Sequence, residues 1–145
     1  MTEIEECFAK GMLKKTKSDM GKAMLSLKVS GENLEDARSQ LENGLFKWAF
    51  IAAYTSMFHA ARALLYRDGV KERSHFCLCA YVKERYRGTI EARYISELNI
   101  LREQRHRIMY GDENIKTKEV EEVEAESAVA IAAGFLEAVE KIIKK

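Results

Sequence analysis

The chain has 145 residues, of which 24 are Lys or Arg and 23 are Asp or Glu, so that its formal net charge is +1. This length predicts one domain with a sizeable core, and the near-zero charge excludes a generally basic nucleic-acid binder, so any polyanion contact must be local. Proline is absent and strand signals are nearly absent, whereas helix-forming Lys, Glu, Ala and Leu dominate, which predicts an all-α fold.

The N-terminal segment is predicted to form a short amphipathic helix over Glu3–Lys15, although residues 1–18 could instead be a loosely attached arm. Its acidic start is unlike a secretory signal. The three cysteines are odd in number and form no CxxC pair, which favours a reducing, cytoplasmic location and no zinc site. We expect Cys77 and Cys79 to be packing residues.

The second helix is predicted over Met20–Glu42, with Ser18 or Asp19 as its N-cap. Gly31 lies inside the periodic pattern, so a break at Ser30–Gly31 that gives two shorter helices is the alternative. The short Asn43-Gly44 turn makes this helix an antiparallel neighbour of the next one.

The stretch Leu45–Tyr66 is apolar almost all round, which is typical of a helix that is buried on every side. Lys47 and Arg62 bracket a charge-free core of only about fourteen residues, and His59 interrupts it, whereas a membrane span needs roughly twenty. We therefore predict the central helix of a bundle, which ends at Asp68-Gly69.

Three more helices are predicted after it. Ser74 is a plausible N-cap for a helix over Ser74–Tyr86, the next runs over Ile90–Tyr110 and stops at Gly111, and Thr117 could cap the last helix. Small residues in that last helix indicate close packing: Ala128, Ala132 and Gly134.

The helix over Ile90–Tyr110 carries an arginine in an unusual place. Its apolar residues Tyr94, Leu98, Leu101 and Ile108 are spaced by four, three and seven, and Arg105 completes the period. An arginine on an apolar stripe is costly unless it is paired or lines a cleft.

A second face of the same helix holds Arg102, His106 and Tyr110, at intervals of four. One interpretation is an anion site, in which Arg102 and Arg105 hold a phosphate, His106 transfers a proton or donates to the phosphate, and Tyr110 donates a hydrogen bond or stacks on a base. The other interpretation is structural: Arg105 pairs with a Glu of a neighbouring helix and His106 is simply exposed.

The other two histidines are weaker candidates. We expect His59 to be a satisfied core residue and His75, directly after the Ser74 cap, to bond locally or to pack on the first helical turn. No carboxylate pair has metal-ligand spacing, and there is no HExxH, GxSxG or glycine-rich phosphate loop, so no metal or cofactor is expected.

Two stretches, Leu41–Tyr66 and Leu101–Gly111, resemble the central helices and the signature helix of HEPN-domain proteins. The resemblance covers about Met20 to the C terminus. It implies an up-and-down bundle of five or six helices in one domain over residues 1–145, a homodimer, and no membrane association. Many HEPN proteins are encoded beside a minimal nucleotidyltransferase, as a pair that behaves as a toxin–antitoxin system.

Active HEPN proteins are metal-independent endoribonucleases whose signature is an Arg, a polar residue and, after four to six intervening residues, a His. Here Arg105 and His106 match the first two positions, but Tyr110 stands in the slot after four intervening residues, and a phenol is a poor general base at neutral pH. The resemblance therefore implies binding of a nucleotide or an RNA phosphate with weak or no nuclease activity. The alternatives are an active endoribonuclease that uses Arg105, His106 and Tyr110, and a non-catalytic interaction module.

Overall fold

A computed structural model describes residues 1–145 as an all-α bundle of six helices with one two-stranded antiparallel sheet. The elements in chain order are α1 (Glu3–Ala9), β1 (Leu13–Lys15), α2 (Met20–Glu42), α3 (Phe46–Asp68), β2 (Val70–Glu72), α4 (His75–Arg85), α5 (Ala92–Tyr110) and α6 (Glu122–Ile143). None of these helices has an apolar stretch long enough to cross a bilayer.

The centre of the bundle is α3, which packs against α2, α4, α5 and α6. Thirteen of its 23 residues are buried, and six of those are alanines, so neighbouring helices can approach its backbone from several sides. Gly44 takes a positive φ of 73° in the turn that reverses the chain between α2 and α3. The buried Ser30 hydroxyl of α2 donates to the Ser56 carbonyl of α3 at 2.7 Å, which satisfies two polar groups inside this contact.

The N-terminal segment differs from its prediction, because the helix ends at Ala9 and residues 13–15 form a strand. Gly11, with a φ of 74°, turns the chain after α1. Leu13 is 1% exposed, and its strand pairs antiparallel with Val70–Glu72. The prediction failed here because strands of three residues are too short to show an alternating pattern.

Most predicted helix boundaries are confirmed. Asp19 caps α2, which continues without a break through Gly31, and Ser74 caps α4 by accepting a hydrogen bond from the Cys77 N–H. Gly69 ends α3 in the left-handed conformation, and a Cβ there would lie 2.6 Å from the Thr16 carbonyl oxygen, so glycine is required for two reasons.

The predicted cap of the last helix is wrong. The Lys118 N–H donates to the Arg107 carbonyl, which keeps this part of the chain in a loop along the end of α5. Glu121 caps α6 instead, in a reciprocal capping box with Glu124. The pKa of the Glu124 carboxyl is lowered, chiefly by the hydrogen bond from Lys118.

A disulfide joins Cys7 of α1 to Cys77 of α4, across a sequence separation of 70 residues. The expectation that Cys77 is only a packing residue is therefore wrong: Cys7 and Cys77 are distant in sequence, but their Cα atoms lie 5.8 Å apart in the fold. Cys79 remains a free, buried thiol, and burial raises its pKa to about 12.

The predicted close packing of α6 is confirmed at Ala128, Ala132 and Gly134. A Cβ at Gly134 would overlap the ring of Tyr94, so the absence of a side chain lets α5 lie directly against α6. Gly31 offers a contrast, because a Cβ there would meet no atom within 4 Å.

We expect Gly134→Ala to lower the free energy of unfolding by about 1 kcal/mol, since the clash with Tyr94 outweighs the gain in helix propensity. The matched control, Gly31→Ala, should raise it by up to about 1 kcal/mol. Urea unfolding of both variants measures the difference. Equal stabilisation by the two substitutions would show that Tyr94 moves aside freely.

We also expect reduction of the Cys7–Cys77 bond to lower the free energy of unfolding by up to about 4 kcal/mol, because the bond restricts a long loop in the unfolded chain. Urea unfolding with and without dithiothreitol tests this. Cys7→Ser is the control and should not respond to the reductant. Equal stability of the oxidised and reduced wild type would contradict the expectation.

Candidate functional site

Arg105 lies on the inward face of α5, as its spacing predicted. Its neighbours on the stripe, Leu98, Leu101 and Ile108, are 0%, 3% and 1% exposed. Arg105 itself is partly buried, its Nε atom is buried without a hydrogen-bond partner, and none of the ion pairs of the chain includes it. The glutamate partner that the structural interpretation requires is therefore absent from the chain.

Two polar groups, Tyr54 of α3 and His75 at the start of α4, come from the helices that pack against α5. The start of α4 faces α5 closely, since the Arg102 guanidinium lies 5.5 Å from the ring centre of Phe76, the residue after His75. The Tyr54 hydroxyl and His75 Nδ1 are 2.8 Å apart, and the imidazole stacks on the Phe58 ring with 4.2 Å between centroids and 19° between planes. The local role expected for His75 is therefore wrong, because its partners are 21 and 17 residues away in sequence.

The positive charge of Arg105 acts on both of these groups. Burial lowers the pKa of His75, and Arg105 is the next largest cause of that lowering. Burial raises the pKa of Tyr54, which Arg102 and Arg105 partly oppose. At neutral pH, Tyr54 is therefore a protonated phenol, and His75 is biased toward the neutral imidazole.

His106 and Tyr110 lie on the exposed face of α5, beside each other. Their ring centroids are 5.0 Å apart, and 56% of Tyr110 is exposed. Residues 105 and 106 point about 100° apart around a helix, so within one protomer this aromatic pair does not lie on the same face of α5 as Arg105.

Arg102 lies between these two groups around the helix. Its guanidinium donates two hydrogen bonds to Asn99 Oδ1, at 3.1 and 3.0 Å, and lies 5.5 Å from the ring centre of Phe76. The four sequence-predicted residues thus divide into an inward Arg105, an intermediate Arg102 and an outward pair of His106 and Tyr110.

His59 is partly buried and makes an edge-to-face contact with the Phe58 ring, with 5.3 Å between the ring centroids. Burial lowers its pKa, and Arg62 adds to that effect. Arg62 itself pairs with Glu72, so unlike Arg105 it has a carboxylate partner.

The best-formed cavity, of about 430 Å³, lies between α1, α4 and the first half of α5, and neither Arg105 nor His106 lines it. No three His, Cys, Asp or Glu side chains come together in a way that could hold a metal ion. Arg105 is therefore the centre of the candidate site because of its charge and burial, rather than because of a large pocket.

Comparison with models of protein families identifies the family to which this helical arrangement belongs. The model of the HEPN domain matches residues 23–142, which includes α3, α4, α5 and nearly all of α6. The chain belongs to the HEPN family. The matched range begins after α1 and β1, so the disulfide connects the HEPN bundle to a helix outside that range.

Two relatives of this HEPN chain come from archaea. "Putative toxin MJ0605" of Methanocaldococcus jannaschii is 28% identical over 124 residues, which are 82% of this chain and 87% of the relative. "UPF0332 protein PH1297" of Pyrococcus horikoshii is 45% identical over 49 residues, which are 34% of each chain.

Sequence reasoning missed Tyr54 and His75 as the groups whose pKa values respond to the charge of Arg105. A weak signal existed: Tyr54 and Phe58 are four residues apart and share one face of α3, so an aromatic face had to be covered by some polar or aromatic partner. Nothing in the spacing of α4 indicated that this partner is His75.

We expect Arg105→Gln to raise the pKa of His75, because removal of a nearby positive charge favours the imidazolium. The pKa of His59 should stay unchanged, since its lowering comes from burial and Arg62. NMR titration of the imidazole signals measures both values in one sample. A His75 pKa that does not respond would contradict the electrostatic effect of Arg105 on His75.

Proposed function

We propose that this HEPN protein binds a phosphate of a nucleotide or RNA at Arg105 and is the HEPN member of a toxin–antitoxin-like pair, with a minimal nucleotidyltransferase as its partner. One observation carries the binding proposal: Arg105 is a partly buried arginine, on an otherwise apolar stripe, without a carboxylate partner in the chain. A phosphate that accepts hydrogen bonds from the guanidinium would compensate the cost of its burial. The match of Arg105 to the family signature supports the same role.

A homodimer is part of the proposal. Phe76, Ile100 and Tyr110 are 45%, 41% and 56% exposed at the start of α4 and along α5, which is more apolar surface than a solvated helix face needs. Packing of two α5 helices about a two-fold axis would bring both copies of Arg105, His106 and Tyr110 toward one composite cleft. We propose one HEPN-like domain over the whole chain and a cytoplasmic location, which requires the Cys7–Cys77 bond to persist against cytoplasmic reductants.

The toxin role rests on the relative in Methanocaldococcus jannaschii, whose name describes a toxin and whose similarity extends over most of both chains. The nucleotidyltransferase partner rests on the family resemblance alone. An active metal-independent endoribonuclease is the second candidate function. The adjacent rings of His106 and Tyr110 favour it, because they follow Arg105 directly and are accessible to a substrate.

We expect the wild type to bind a short fluorescent RNA in the presence of EDTA, and Arg105→Ala to weaken that binding about tenfold or more, since a charge-assisted hydrogen bond is lost. Fluorescence anisotropy measures the affinity. The control is Arg93→Ala, which removes the same charge from the other end of α5, where Arg93 pairs with Glu91. An equal loss of RNA affinity in the two variants would show that binding depends on the overall positive charge of the protein rather than on a site at Arg105.

Cleavage in the same samples separates the candidate functions. RNA cleavage that Arg105→Ala, His106→Ala or Tyr110→Phe abolishes would establish the endoribonuclease. Binding without cleavage supports the binding protein. If a folded dimer binds no RNA, the proposal is refuted and the non-catalytic interaction module becomes the remaining candidate function.

A further inference from the structure

The imidazole of His75 is held in one orientation by two contacts. The ring is stacked on Phe58, and Nδ1 is hydrogen-bonded to the Tyr54 hydroxyl at 2.8 Å. This hydroxyl has no other hydrogen-bond partner in the chain, and a buried hydroxyl proton needs an acceptor, so Tyr54 donates to Nδ1. The neutral imidazole then carries its proton on Nε2, and that atom is available as a donor.

The charges around His75 are mainly positive. Arg62, Arg102 and Arg105 act on it from α3 and α5, and Glu72 is the acidic group that acts from β2, so this set carries three positive charges and one negative charge. Glu72 is already paired with Arg62. The uncompensated charge therefore lies on the α5 side, where the Arg105 Nε has no partner. The N-terminus of α4, where His75 is the first helical residue, adds a partial positive charge in the same place.

We propose that His75 and Arg105 together bind one phosphate group of the nucleotide or RNA, with the Arg105 guanidinium and His75 Nε2 as donors and Tyr54 as the residue that orients the imidazole. This inference rests on the proposed function and deepens it, because it places the phosphate where the start of α4 packs against α5. The histidine that acts on the phosphate is then His75, from a different helix than the signature, rather than His106.

The pH dependence of binding follows from this arrangement. A bound phosphate stabilises the imidazolium of His75 and therefore raises its pKa. By linkage, phosphate affinity increases as the pH falls through the range in which His75 becomes protonated. The groups that face His75 and contribute to this range are Tyr54, Arg62, Glu72, Arg102 and Arg105.

The decisive experiment is an NMR titration of the full-length chain with inorganic phosphate. The chain has three histidines, so the signals of His59, His75 and His106 report three separate places in one sample. We expect phosphate to shift the His75 signals and to raise the His75 pKa, with little change at His59 and His106. Arg105→Gln should remove the response of His75.

The outcomes distinguish this inference from the proposed function. Phosphate that shifts His106 but not His75 would overturn the inference, as would an undiminished response of His75 in Arg105→Gln or no response of any histidine. If RNA does not bind but phosphate shifts His75 in an Arg105-dependent way, the anion site stands and the RNA function fails. If RNA binds and Arg105→Ala weakens it while His75→Gln does not, the function stands and the inference fails.

A variant comparison on RNA completes the test. His75→Gln should weaken RNA binding about tenfold, the cost of one hydrogen bond to a charged group, and should flatten its pH dependence. His59→Gln is the matched control and should retain both affinity and pH dependence, because the pKa of His59 responds to burial, Arg62 and Glu72 rather than to Arg105. Tyr54→Phe should leave the affinity within a few-fold but alter the His75 pKa, because the phenol orients the ring without touching the phosphate. A His106→Gln variant that loses binding while His75→Gln retains it would reverse the assignment.

Discussion

Burial of α3 on most of its circumference is the constraint on which the rest of the fold depends. Only one stripe along its middle is partly exposed, at Ile51, Thr55, His59, Arg62 and Tyr66, and the alanines on its buried faces allow α2, α4, α5 and α6 to pack on it. Side chains of α3 that point into its contacts with neighbouring helices must therefore be apolar or have hydrogen-bond partners. Ser56 meets this demand through Ser30, and Tyr54 meets it through His75.

Arg105 does not meet the same demand within the chain. Two other arginines that act on His75 have partners within the chain, since Arg62 pairs with Glu72 and Arg102 binds Asn99 and lies near the Phe76 ring. A side chain whose Nε is buried without a partner costs stability, unless something outside the chain compensates it. Burial of polar groups without internal compensation is characteristic of functional sites, which links the packing of α5 to the proposed phosphate chemistry.

The N-terminal segment is attached to the bundle by different means. Its own helix has seven residues and contacts α4 and β1, while the β1–β2 pair and the Cys7–Cys77 bond connect it to the segment that leads into α4. His75 begins α4 two residues before Cys77. The strand, the disulfide and the Ser74 cap therefore all act on the piece of backbone that positions the imidazole.

The helical architecture was determined by the sequence itself, because apolar periodicity, helix caps and glycine stops are local properties that survive in any packing. Met20–Glu42, the buried helix after Asn43-Gly44 and the end of α5 at Gly111 all follow from them, as does the position of Arg105 on an apolar stripe. Only the tertiary structure decided the contacts between residues that are far apart in the sequence. The β1–β2 pair, the Cys7–Cys77 bond and the stacking of His75 on Phe58 connect residues 17 to 70 positions apart, and no periodicity within one element carries that information. The same reason explains the candidate site: the helix pattern indicates which way Arg105 faces, but only the packing of α5 against α3 and α4 determines what it faces.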